Sequence, residues 1–490
     1  MNSTITLGRV LALFALLLLV VLCGCQGLTN TTSSTTTTST TPPPPPATLN
    51  TSINHIIFMA QENRSFDTYF GQLAAYWAAN GYPSQQFAGL PANASNPSYT
   101  GSTTPGTTSV NAYHLATECF ENLSPSWDES HEDWNLQNAT SSTPMMNGFV
   151  YNAAKFANDS GYTDVTGERA MGYYDWTDLP YYYFMASKFA TSDNWFSPAM
   201  DRTQINRMYL FAATSQGYAY PPGTTTSDNH ALTAKTIFDA LDTAKISWKI
   251  YATDSGCSAA PNGDNPSSLG YCTYLNQFQQ FSTLPANVVS ASDFVSDANA
   301  GNLPSVSFIE PGYLSGQDEH PSSGTDVQVG AAYVATLING LMQSKSWKDS
   351  VFILTYDEAG GTYDHVPPVQ MTNPDGIGPI DLAPTDICAG MTNTSNPTCN
   401  FEYTGYRVPL LVISPFTKKN YVSHTPADYT AILAFIEDRF ALPPLTKRDA
   451  AQMNMEEFFD FQSAPWTTPP TNIPTQPTGG ACNAQNLGYP

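Results

Sequence analysis

The sequence predicts an α/β fold, a single large domain in three layers with helices on both faces of a mostly parallel sheet. Three observations predict it. Short apolar runs alternate with segments whose apolar residues recur every three or four positions, as strands joined by crossover helices do. That alternation implies a mostly parallel sheet covered on both faces, and the first strand reads as buried. Acidic residues follow two of the best strands, at the edge where an open parallel sheet binds its ligands.

Residues 53–59 (INHIIFM) read as a buried strand that delivers Gln61, Glu62 and Asn63 at its C-terminal end, with His55 as a packing residue inside it. Residues 233–241 have helical spacing, and 246–251 (ISWKIY) form a strand. A short strand over 306–309 precedes a helix over 327–342. The clearest strand is 350–356 (SVFILTY), which runs into Asp357, Glu358, Ala359, Gly360 and Gly361. A strand over 408–413 and a helix over 429–440 close the pattern. Residues 84–110 and 370–400, rich in Pro, Ser, Asn and Gly, read as surface loops, and the chain after Phe461 is irregular.

The N-terminus sets the expected compartment. Residues 1–24 read as a signal peptide: Arg9 is the only charge, and the apolar run over 10–22 is short for a membrane span. Leu22-Cys23-Gly24-Cys25 resembles a bacterial lipobox, with Cys25 as the lipidated residue. Residues 25–50 then form a Thr/Ser/Pro-rich spacer, and 51–490 the expected catalytic domain. The expected location is exported, either secreted or held at the cell envelope by a lipid at Cys25, the only membrane attachment foreseen. Six further cysteines fit disulfides in such a compartment, and the short separations favour Cys257–Cys272 and Cys388–Cys399, leaving Cys119–Cys482. None has the spacing of a thiolate zinc site. The chain has 490 residues, with 18 Lys+Arg against 41 Asp+Glu and a net charge of −23. That balance excludes a nucleic-acid binder, which must neutralise phosphates, and it fits a protein working in acid.

Glu62, Asn63, Asp357 and Glu358, gathered at one sheet edge, would repel one another without a cation between them. Their oxygens suit calcium, magnesium or manganese; each acid alone reads better as a helix cap, and the two acidic strand ends beside a Gly-Gly turn bring the metal level with it. Three histidines lie in loop-like stretches beside acids: His131, His320 and His365. That setting suits a phosphate contact or a general acid.

Taken together, these blocks resemble a known family. Glu62-Asn63-Arg64-Ser65-Phe66-Asp67, the stretch from Met200 to Arg207, Asp318-Glu319-His320-Pro321, the stretch from Tyr356 to Val366, and Tyr406-Arg407-Val408-Pro409 look like motifs of bacterial phosphoesterases. These are the phospholipase C and acid phosphatase enzymes, relatives of alkaline phosphatases. The resemblance implies an alkaline-phosphatase-like fold and one divalent metal, with zinc added to the candidates. It implies metal ligands at Glu62, Asn63, Thr203, Asp357 and Glu358, and a nucleophile at Thr203. His320 and His365 are then expected to contact the phosphoryl group or protonate the leaving group, and Asn63 and Arg207 to bind substrate.

Two positions depart from the pattern. Ile205 stands where the family usually has proline, and Pro125 where it commonly has a histidine that touches phosphate; His131 is the expected replacement. Partners are expected to be phosphate-ester small molecules or phospholipid headgroups. The leading expectation is an acid-phosphatase-like phosphomonoesterase acting through a phosphothreonine, because the C-terminal β-domains common among the phospholipases are lacking. The alternatives are a phospholipase C and a non-catalytic surface lipoprotein. A sulfatase is disfavoured, since Thr203 cannot mature into formylglycine.

Overall fold

The central strands are mostly apolar and buried along nearly their whole length, so the sheet they build must be covered on both faces. The computed structural model describes residues 47–222, 231–257, 270–321, 326–391, 396–479 and 482, all within one compact unit. Its sheet has eight strands: β1 His55–Gln61, β2 Ala190–Ser192, β3 Trp248–Ala252, β4 Val288–Ser290, β5 Val306–Glu310, β6 Ser350–Tyr356, β7 Leu411–Ile413 and β8 Tyr421–Ser423. Their order is β8-β2-β7-β6-β1-β5-β3-β4. Only β7 runs against its neighbours; the other pairings are parallel. The signal-peptide and Cys25 readings lie outside the described residues. Among the described residues no helix is long and apolar enough to cross a membrane.

The helices form the outer layers. We number α1 Trp127–Trp134, α2 Pro180–Lys188, α3 Thr203–Ala212, α4 Ile237–Ala244, α5 Asp293–Ala300, α6 Val327–Met342 and α7 Ala431–Phe440. α7 packs on α3 and α3 on α4, while α6 packs on α5 and α2. The expected three-layer architecture is therefore present. β1 and β6 lie at its centre with every residue buried except His55. Their register sets Gln61 opposite Tyr356, so Glu62 and Asp357 leave the sheet side by side.

Most elements fall where the pattern put them, and the shifts have local causes. Strand 408–413 shortens to β7 because Pro409 has no N–H for the ladder, and Val408 donates instead to Trp195 O at 2.9 Å. The 233–241 helix starts later, at Ile237, where Thr236 and Asp239 form a capping box. His55 is not a packing residue: it begins β1 half-exposed, with Nδ1 2.8 Å from Pro304 O. β2, β4 and β8 have three residues each, too few to leave a periodic signal. All three expected disulfides are formed.

One buried contact gives the fold a pH dependence. On α7, Glu437 is 4% exposed. Its Oε1 and the Asp449 Oδ2 both accept from the Leu445 N–H, at 3.2 and 2.7 Å. Burial first, and then the neighbouring Asp449, pushes the Glu437 pKa to about 9. A group that keeps its proton on folding stabilises fully below its unfolded pKa, and that contribution is lost as pH rises through the folded value. Wild-type melting temperature should therefore fall between about pH 5 and 9, while Glu437→Gln flattens that slope and melts at least ~2 °C higher at pH 9. Parallel slopes for the two proteins would contradict the shared-proton contact.

Candidate active site

The C-terminal ends of β1 and β6 supply the site. After Gln61 the chain turns sharply, and Asn63 adopts a left-handed backbone (φ +67°). Its N–H reaches Asp357 Oδ1 at 3.3 Å, and the Glu358 N–H reaches the same oxygen at 2.8 Å. Glu358 is held by the Gly360 N–H on Oε2. Gly360 is required there: its φ is +69°, and a Cβ would stand 2.6 Å from Asn63 O.

Thr203 opens α3 and is 7% exposed. Its Oγ1 lies 3.3 Å from Asn63 Oδ1 and 3.5 Å from Glu358 Oε1. The turn before it is held by Asn206, whose Oδ1 accepts from the Ala199 N–H at 3.0 Å and whose amide donates to Asp201 O at 2.7 Å. Ile205 is fully buried in the core, so its side chain packs where the family pattern has a proline. Asn63, Thr203 and Glu358 thus meet at the sheet edge, with Asp357 accepting from the Asn63 and Glu358 N–H groups and Glu62 linked to Asp357 through Arg207.

Arg207, one turn along α3, is fully buried behind this group. Its Nε is 3.3 Å from Asp357 Oδ2, its Nη2 3.3 Å from Glu62 Oε1, and its Nη1 3.6 Å from Glu310 Oε2. Expected as a substrate contact, Arg207 instead spends its donors on carboxylates and neutralises them. Glu310 is a member of this cluster that the sequence reading missed; as the last residue of β5 it was visible only as a strand end.

Arg207, even with the pull of Arg202 on Glu358, does not balance four buried carboxylates. Burial, and then repulsion from Asp357, holds the Glu62 and Glu358 carboxyls well above their usual range. Burial also raises Asp357, although Arg207 pulls it back. A divalent cation would reverse all three shifts, and the donor set of carboxylates, an amide and a hydroxyl is the one such ions take. The residues present match the expected metal in donor type, although among the described residues two other groups gather their ligand atoms more closely, within 4.8 Å. Asp67, Asp364 and His365 lie close enough for a cation, but the Arg407 guanidinium already sits 2.9 Å from both carboxylates. His114, Asp175 and Asp178 form a partly exposed surface cluster.

The three histidines fare differently. His365 is 21% exposed, and its Nδ1 lies 2.7 Å from Asp67 Oδ2. This contact fixes the ring and leaves Nε2 for chemistry. His320 sits on a loop whose Asp318 carbonyl accepts the Glu62 N–H at 2.8 Å. Burial, followed by the nearby Arg64, lowers its pKa to about 4. The loop is pinned by Glu319, whose carboxylate accepts from Gln61 and from the hydroxyls of Tyr69, Tyr182 and Tyr356 at 2.6–3.0 Å. His131 is not brought to the site. It is fully buried in α1, with Nδ1 2.6 Å from Trp127 O and Nε2 2.8 Å from Thr398 O, so both nitrogens are engaged with backbone. Pro125 does border the site: with Ser130, Asp133, Asp201, Glu358 and Tyr406 it lines a cavity of about 10 Å³, scarcely one water.

Removing Arg207 takes away the guanidinium that Glu62, Glu310 and Asp357 share. Arg207→Met should destabilise the metal-free protein by roughly 3–5 kcal/mol in denaturant unfolding. Added divalent cation should recover part of that loss. An unchanged unfolding midpoint would contradict the charge balance described.

The phosphoesterase family model matches residues 53–443. Phospholipase C B of Mycobacterium tuberculosis is 30% identical over 448 residues, spanning 85% of this chain and 79% of that protein. Non-specific phospholipase C1 of Arabidopsis thaliana is 30% identical over 441 residues, spanning 86% and 74%. Among solved structures, a protein in the alkaline phosphatase superfamily from Vibrio parahaemolyticus aligns at 14% identity with a TM-score of 0.32, covering 78% of each chain. Murine ectonucleotide pyrophosphatase/phosphodiesterase 5 aligns at 12% identity with a TM-score of 0.33, covering 58% of this chain and 95% of that one.

Proposed function

The chain belongs to the phosphoesterase family and is a hydrolase of phosphoric ester bonds, and from that premise we propose that it is a phospholipase C whose nucleophile is Thr203. The observation that carries the proposal is the Thr203 hydroxyl, held within 3.3 and 3.5 Å of Asn63 and Glu358 at the sheet edge. Sequence alone ranked a phosphomonoesterase first. Relatives named as phospholipases C, matched over most of both chains, reverse that order.

Glu62, Asn63, Thr203, Asp357 and Glu358 would hold one divalent cation, which lowers the pKa of a nearby hydroxyl and offsets phosphoryl charge. Thr203 Oγ1 passes its proton to Glu358 Oε1, attacks phosphorus, and the bond from phosphorus to the diacylglycerol oxygen breaks; the same carboxylate returns that proton when Thr203 is displaced. His365, oriented by Asp67, gives its Nε2 proton to that leaving oxygen. His320, kept neutral by its surroundings, offers a hydrogen bond to the phosphoryl group. Water, deprotonated by His365, then displaces Thr203, releasing the phosphorylated headgroup and restoring the hydroxyl. A phosphomonoester would follow the same course through a plain phosphothreonine.

Three disulfides fit an oxidising compartment, and with them the exported placement: signal peptide 1–24, Cys25 anchor with spacer 25–50, and catalytic domain 51–490.

Turnover of a p-nitrophenyl phosphocholine diester should exceed that of the phosphomonoester and stop on chelation; preference for the monoester would restore the phosphatase reading. Thr203→Ala should lower kcat at least ~10³-fold while metal content and melting temperature stay near wild type. Activity within tenfold of wild type would remove Thr203 from the mechanism. His365→Asn should slow phosphatidylcholine more than the p-nitrophenyl ester, whose leaving group needs no proton; equal losses would contradict the general-acid role.

A further inference from the structure

Among the described residues five arginines are fully buried, and three of them are saturated; Arg207 leaves only Nη1 without a hydrogen bond, 3.6 Å from the Glu310 carboxylate. Every guanidinium nitrogen of Arg169, Arg407 and Arg448 meets a carboxylate or a carbonyl. Arg64 is equally buried, yet only its Nη1 is engaged, on Asn63 O at 2.7 Å. Nε and Nη2 have no partner. These two atoms form one edge of the guanidinium plane, the edge whose parallel N–H groups match two oxygens of a carboxylate or phosphate.

Leaving two charged donors unpaired inside a protein is costly, so a site that does so is built for something that arrives. The location says what. Arg64 directly follows Asn63, which faces Thr203, and its ring contacts are Phe120 at 5.3 Å and Tyr69 at 5.8 Å. The buried ring of His320 is near enough to feel its charge. Nearby anions are already committed: Glu319 is enclosed by tyrosine hydroxyls, and Asp67 by Arg407 and His365. At position 125, also on the site's wall, proline leaves no donor for a phosphate.

We propose that the Nε/Nη2 edge of Arg64, beside His320, binds two oxygens of the substrate's phosphoryl group and stands in for the histidine absent at position 125. This rests on the phosphoester-hydrolase reading. Arg64 thereby binds the ester phosphate opposite the metal ligands, and Nη1 keeps Asn63 in the turn that aims it at Thr203.

The test is calorimetric titration of inorganic phosphate into the full-length, manganese-loaded protein. Arg64→Lys keeps the charge but lacks the paired edge, and Arg64→Met lacks both. Phosphate should bind at least ~10-fold more weakly to the lysine variant and weaker still to the methionine variant, with manganese content unchanged. Affinity within twofold of wild type in both variants would overturn the assignment, as would loss of manganese in parallel with phosphate. If neither variant folds, crystals of the wild-type holoprotein soaked in tungstate decide. Oxyanion oxygens within about 3.2 Å of Nε and Nη2 support the proposal, and an anion bound elsewhere while that edge stays bare refutes it. A wild type that binds no phosphate and hydrolyses neither ester would instead sink the functional reading, and this proposal with it.

Discussion

Everything at the sheet edge depends on how negative charge is contained there. Glu62, Glu310, Asp357 and Glu358 are buried together, and Arg207 is the one guanidinium that bridges three of them. Without it the carboxylates could not be brought so close; with it alone they remain under-neutralised, and their proton affinities rise. The remaining deficit is of the kind a small multivalent cation offsets, and the proposed mechanism draws on it.

Backbone geometry converts that charge into direction. The parallel register of β1 and β6 delivers Glu62 and Asp357 as neighbours. The left-handed turn at Asn63 and the side-chain-free approach of Gly360 then bring the loops into contact. Glu319, caught between three tyrosine hydroxyls and Gln61, ties the His320 loop to the same strand ends. Such a network is rigid because each hydroxyl is itself buried and has few other acceptors. Asp67 and Arg407 do the same for His365 from the far side. The site is thus a set of short loops, each clamped by a buried ion pair or carboxylate.

How much of this was legible depends on the length of the signal. β6 and α6 were readable to the residue, because seven and sixteen residues of unbroken pattern leave little choice. Three-residue strands such as β2 and β8 were invisible. Glu62, Asn63, Asp357 and Glu358 were readable as strand ends, and Thr203 only through its motif. Arg207 and His131 were misplaced for the same reason: a charged or ring side chain in a motif does not say which way it points. Arg207 turned inward to carboxylates, and His131 turned between two backbone carbonyls. Asp67 and Arg407 lay within quoted motifs, but their pairing joins residues 340 apart in sequence, which no local pattern encodes.

The central claim is that the Thr203 hydroxyl is the group that attacks phosphorus. The most direct measurement is mass spectrometry of the acid-quenched reaction of metal-loaded enzyme with phosphatidylcholine. A phosphocholine adduct is expected on the peptide that begins α3, localised to Thr203 and gone after turnover is complete. Sustained turnover with that peptide always unmodified would contradict it and point to direct attack by water.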